Sequence, residues 1–214
     1  MCVQLLQADD EAIDKLIELL ASDDWVTQDE AMESLLAMGA KAHATLQKAV
    51  KAGIMPYAVH AARVLHQQYA PHIFQFMRWL VVSKNPLLGE IAVDYVTRYG
   101  RYDAVGILLT CLPDCSYLVQ ISIARMMGIL RATDAVDVLI KLVDVSYGST
   151  LRMTAVSALG RIGDKRTLVV VCGLINDSDP HVSRMARLAA AMIEAGECIC
   201  VRHLGFCDCL GVDR

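Results

Sequence analysis

The residues best suited to chemistry lie near the end of the chain. Cys198, Cys200, Cys207 and Cys209 form two Cys-x-Cys pairs, with His203 between them. Thiolates and an imidazole can close a tetrahedral zinc site, because zinc takes sulfur and nitrogen ligands in that geometry. The Leu204-Gly205 step can turn the chain so that the pairs meet. A Cys-x-Cys chelate is tight and awkward, and it signals zinc more weakly than paired Cys-x-x-Cys. Two other roles suit the same segment. It can pack its thiols over the last structural element, or it can close a terminal disulfide between the pairs.

Elsewhere the chemistry is sparse. The remaining histidines are His43, His60, His66, His72 and His181. His60 and His66 are six apart, a spacing that a helix does not place on one face. His43 and His72 are expected to begin successive helices as exposed or capping residues. No Gly-rich phosphate loop, nucleophile elbow or paired His-Glu helix motif is present in the sequence. No catalytic residue is therefore assigned, and the expectation leans away from an enzyme. Apart from zinc in the tail, no cofactor is expected.

The elements that position these residues are helices. The chain has 214 residues, 55% hydrophobic and 21% charged, which is apolar enough to bury a sizeable core. Aromatics are only 6%, with Gly 13 and Pro 5, so a β-sandwich or barrel is disfavoured. The N-terminus lacks a basic region and a long apolar run, so it does not read as a secretory signal. The stretches Ala104 to Leu112 and Thr167 to Ile175 are too short to span a bilayer. The expected setting is the cytoplasm, with no membrane contact. A core of this size makes a framework of disulfides unnecessary, and Cys111 and Cys172 sit in apolar runs as small hydrophobes.

A repeat organises the chain. Taking Ala155 as anchor, equivalents stand at Ala31, Ala61, Ala92, Ile123 and Ala186, spaced 30 to 32 residues apart. Four positions later come Leu35, Leu65, Val96, Met127, Leu159 and Ala190, all apolar. Eight positions later Gly39, Gly100 and Gly163 suit a helix C-terminus, where a left-handed residue closes the last turn. A second amphipathic segment lies between successive anchor helices, as in Ala135 to Val143 and Thr167 to Ile175. In the turn after Ile175, Asp179 is a candidate N-cap and Pro180 suits the first helical turn. One helical pair cannot bury both faces, so neighbouring pairs must stack. The expected fold is an all-α, right-handed superhelix of five to six helical pairs over residues 1–196, followed by a Cys-rich tail over 197–214. Its first helix is expected at Asp10 to Ala21 and its last at His181 to Ala195.

The phrase Ala158-Leu159-Gly160-Arg161-Ile162-Gly163-Asp164, with Asp177-Ser178-Asp179-Pro180 downstream, resembles the HEAT repeat. It is most similar to the phycobilisome-lyase-like subgroup. The likeness is strongest over residues 150–192 and weakens toward the N-terminus. The resemblance implies a helical solenoid that binds a protein partner. It also implies, as an alternative, a bilin lyase or bilin-handling chaperone subunit. Tyr95, Tyr99 and Arg98, with Arg63 and Arg125 in neighbouring repeats, are where a bilin groove is expected. The basic residue that the family carries before the anchor is matched by Arg152. Gln28, Gln120 and Ser183 hold that place in other repeats. Deoxyhypusine hydroxylases, another helical-repeat class, bind iron through His-Glu pairs, and this chain has no His-Glu dipeptide.

Charge is segregated along the chain. Residues 1–33 hold ten acidic side chains and one basic, a balance of −9, while the remainder carries +5, giving the net −4. That balance argues against nucleic acid as a partner. It suggests self-association between an acidic N-terminal and a basic C-terminal end. Two positions after the anchors stand Glu33, Arg63, Asp94, Arg125 and Ser157, with alternating sign over the first four. They are expected to form an internal ladder of ion pairs or to line a mixed-charge groove. The expected partner surface, on the concave face formed by the anchor helices, comprises Arg63, Asp94, Arg98, Arg125, Arg152 and Arg161.

Overall fold

All six repeat anchors are buried, each at most 2% exposed. The apolar residues four positions later are buried as well, from Leu35 at 0% to Ala190 at 7%. Residues four apart share one face of a helix, so this pair of positions defines the inward stripe of every anchor helix. The computed structural model describes residues 2–53, 57–67, 71–99 and 103–195. Among the described residues the secondary structure is helical throughout, with no strand.

The helices fall into two units, residues 1–101 and 102–214. The first holds α1 (Cys2–Leu19), α2 (Trp25–Met38), α3 (His43–Ala52), α4 (Tyr57–His66), α5 (Pro71–Val81) and α6 (Pro86–Tyr99). Within it α1 packs on α2, α3 on α4 and α5 on α6, and the anchor helices α2, α4 and α6 touch in sequence. The second holds α7 (Ala104–Cys111), α8 (Tyr117–Ile129), α9 (Val136–Leu142), α10 (Ser149–Ile162), α11 (Leu168–Gly173) and α12 (Pro180–Ala195). There α10 packs on both α8 and α12, while α9 and α11 cover α10 and α12. Both units are therefore stacks of helical pairs of the HEAT-like kind. The last helix lies where the sequence places it. α1 begins at Cys2 rather than Asp10, because no Gly or Pro interrupts residues 2–19.

The turns carry their own stop and start chemistry. Asp24 accepts hydrogen bonds from the Val26 and Thr27 amides at 3.3 and 3.2 Å and caps α2. Asp179 does the same for α12, accepting from the His181 amide at 2.8 Å and the Val182 amide at 3.3 Å. Such caps satisfy backbone donors that a helix leaves open and are worth about 1 kcal/mol each. Gly163 closes α10 at φ 74°, the left-handed conformation. The equivalent position after α8 holds Arg131 at φ 50°, where a side chain is strained.

Candidate functional site

Three anchor helices of the second unit share one cleft. It has a volume of about 170 Å³ and is lined by Arg125 from α8, by Met153, Thr154, Ser157, Ala158 and Arg161 from α10, and by Met185 from α12. The helices approach closely enough to build it because glycine faces alanine twice. A Cβ placed on Gly128 would meet the Ala158 Cα at 2.8 Å, and one on Gly160 would meet the Ala189 Cα at 2.8 Å. Arg161 lies along this contact, with its Cδ 3.4 Å from that same Cβ position on Gly128. Arg125 is exposed, and Arg161 and both methionines are half-buried. Among the described residues neither guanidinium is engaged in an ion pair.

This arrangement can do a specific job. A guanidinium grips a carboxylate through parallel N–H donors and stays charged at any physiological pH. A methionine floor is apolar yet adaptable, and it accepts ring or aliphatic side chains of varied shape. The cleft therefore suits an acidic segment that also carries an apolar residue. Arg125 and Arg161 belong to the expected partner surface. Met153 and Met185 do not, because methionine at helical spacing reads as core from sequence alone.

In the first unit Asp94 is the hub. Its Oδ2 lies 2.7 Å from His66 Nε2 and 3.7 Å from Arg98 Nη2. The carboxylate thus serves a neighbouring imidazole and the arginine one turn along its own helix. Arg63 is exposed on α4, and its charge acts on His60, whose pKa is held below the usual value first by burial and then by Arg63. Tyr95 is fully buried at 0% and packs on Tyr99 at 4.7 Å, His66 at 5.8 Å and Phe74 at 6.3 Å between ring centroids. Its ring belongs to the core, not to the wall of a groove. His43, expected to be exposed or capping, is buried at 6%.

Arg152 corrects the expected partner surface. It is 5% exposed, and its Nε donates to the Val143 carbonyl at 2.9 Å while Nη1 and Nη2 hold Asp177. The reason is its register. Three positions before an anchor, a side chain reaches back over the turn that precedes its helix, not out to solvent. The same register gives Gln28 a bond to the Ser22 carbonyl at 2.8 Å and Gln120 one to the Leu112 carbonyl at 3.2 Å. Ser183 Oγ donates to the Ile175 carbonyl in the same way. Asp177 has its carboxyl held below the usual range, chiefly by Arg152 and then by the Asp179 amide.

The tail cysteines and His203 lie outside the described residues. Among the described residues no group of three His, Cys, Asp or Glu side chains could hold a metal ion. Cys111 and Cys172 are free thiols. Burial pushes the Cys115 thiol up to about 12, aided by Cys111 and Asp114, and its Sγ donates to the Cys111 carbonyl at 3.1 Å. No described helix is long and apolar enough to cross a membrane.

The family model described as HEAT repeats matches residues 105–194. That span is HEAT-like in sequence as well as in fold. Among solved structures, the chain is similar to an engineered protein at 21% identity and TM-score 0.51, covering 87% of this chain and 98% of that one. It is also similar to human deoxyhypusine hydroxylase in complex with glycerol, at 18% identity and TM-score 0.52, covering 86% of this chain and 74% of that one. At these identities the likeness speaks for the fold alone. No curated protein sequence matches the chain. The HEAT-like span includes every residue of the cleft.

Proposed function

We propose that this chain is a helical-repeat adaptor whose HEAT-like unit binds an acidic protein segment across α8, α10 and α12. The observation that carries this reading is the pair Arg125 and Arg161, unpaired at the rim of a half-buried methionine floor. Arginine and methionine are enriched where proteins meet, and a charge left without a partner is ready to take one. The affinity resides in the anchor-helix face, and no reaction is assigned. A bilin-handling role draws on the repeat phrase around residues 158–164 alone. It loses one of its expected groove residues to the core in Tyr95, so the adaptor reading is preferred.

The test is affinity capture from native cells with mass spectrometry, comparing the natural chain with the Arg125→Glu, Arg161→Glu double variant. At least one protein retained by the natural chain is expected to be lost by the variant. Equal retention of every captured protein would remove the cleft from the binding surface. A turnover that one point mutation abolishes would replace the adaptor reading altogether.

A further inference from the structure

The N-terminal end of the chain offers the chemistry that the cleft lacks. Trp25, the first residue of α2, is 74% exposed, and Val26 beside it is 42% exposed. Asp23 precedes Trp25 and Asp29 follows it by one helical turn; both carboxylates are exposed. Residues four apart stand together on a helix surface, so Trp25 and Asp29 form one acidic-aromatic knob. The turn that presents it is already fixed. Asp24 caps the helix, the Asp24 amide donates to Ser22 Oγ at 3.1 Å, and Gln28 Nε2 holds the Ser22 carbonyl at 2.8 Å. A knob held in place before binding loses little freedom on docking. A solvent-exposed tryptophan is of the residue type that anchors binding hot spots.

We infer that the cleft around Arg125 and Arg161 receives the Asp23–Asp29 knob of a second copy of this chain. The inference rests on the reading of the cleft as a protein-binding site and names the occupant. Asp23 and Asp29 supply the carboxylates for the two guanidinium groups, and the indole of Trp25 lies on Met153 and Met185. Charge favours this pairing locally, since residues 1–33 carry −9 and the cleft presents the Arg125 and Arg161 guanidinium groups, neither of them in an ion pair among the described residues. The two surfaces differ, so the contact is heterologous. A joined pair leaves one knob and one cleft unused, and copies join head to tail until a ring closes or a chain grows.

Sedimentation velocity of the full chain at low salt, over a wide concentration range, tests this. The natural chain is expected to sediment faster as concentration rises and to dissociate in high salt. The knob variant Trp25→Ala, Asp29→Ser and the cleft variant Arg125→Ala, Arg161→Ala are each expected to weaken association by about thirtyfold or more, as hot-spot losses do. An equimolar mixture of the two is expected to give a dimer and nothing larger, because one variant keeps a cleft and the other keeps a knob. Arg125→Ala alone, at an exposed position, guards against misfolding of the double variant and is expected to weaken association in the same direction. A natural chain that stays monomeric, variants that associate like it, or a mixture that does not dimerise would each overturn the inference. If the natural chain is monomeric but captures another protein through Arg125 and Arg161, the adaptor reading survives alone. If it captures none, both fall.

Discussion

The two units join their anchor helices at the same register but fill that register differently. In the second unit the position five after one anchor is glycine and the position three after the next is alanine, at Gly128 with Ala158 and Gly160 with Ala189. In the first unit the corresponding pair is His66 with Tyr95, whose ring centroids lie 5.8 Å apart. One joint is made by backbones in close approach, the other by rings with a carboxylate alongside. The lesson is that the repeat constrains which positions meet, and leaves open what stands there. Where small residues meet, the outer face stays clear, and a cleft with free arginines lies above the joint. Where large rings meet, the nearby carboxylate Asp94 is drawn into holding the imidazole.

The comparison can be broken most forcefully at Arg152. Arg152→Ala leaves Asp177 buried without its cation, and it is expected to destabilise the second unit by about 3–5 kcal/mol. Urea denaturation of the full chain reads the loss, and hydrogen exchange should place it between residues 143 and 177. The same pair sets an acid dependence. The Asp177 pKa is lowered on folding, so its contribution is complete above the ordinary carboxylate range. It is lost as pH falls through the depressed folded value. Asp177→Asn is therefore expected to be less stable than the natural chain at neutral pH, with the gap closing in strong acid. Melting temperatures across that range check the sign.

A smaller effect is expected from Gly160→Ala. The added methyl would sit 2.8 Å from the Ala189 Cα, which is backbone and cannot swing away. Overpacking of this kind is expected to lower stability by about 1–3 kcal/mol and to widen the cleft. His66→Ala in the first unit removes atoms rather than adding them at a position already partly open. It is expected to lower stability by about 1 kcal/mol, the worth of a hydrogen bond. Equal losses at Gly160 and His66 would say that the two joints do not differ as described. The smallest change is a gain. Arg131→Gly relieves a left-handed residue that its counterpart position fills with glycine, and is expected to stabilise the second unit by about 0.5–1 kcal/mol once glycine's unfolded-state entropy is deducted.

The fold was legible because its signal is periodic. Ala31, Ala61, Ala92, Ile123, Ala155 and Ala186 recur at nearly constant spacing, and that recurrence alone places the inward stripe. The Asp179 cap was legible because its chemistry is local to three residues. The candidate site was legible only through its long charged side chains. Arg125 and Arg161 both lie at the cleft. Arg152 carries the same charge at a position that faces the preceding turn, and no local pattern announces which turn will offer it a carboxylate. The expected alternation from Glu33 to Ser157 misses the partners of Asp94 for a related reason. Its imidazole comes from a position on α4 outside that series, and its arginine from the next turn of α6. The methionines of the cleft look like core residues in sequence, and only the packing of α8, α10 and α12 shows that they are half-open.

The glycine-alanine joint also has a meaning for how such a chain can change length. Gly128 meets Ala158 just as Gly160 meets Ala189, so the far side of α8 and the near side of α12 are cut to the same template. Excising residues 129–160 would set Gly128 in the place of Gly160, against Ala189, with no new complementarity to invent. The second unit is thus interchangeable with a shorter or longer version of itself, one helical pair at a time. Insertions and deletions that respect this period preserve the stack, whereas a shift of a single residue brings a side chain where only a hydrogen fits.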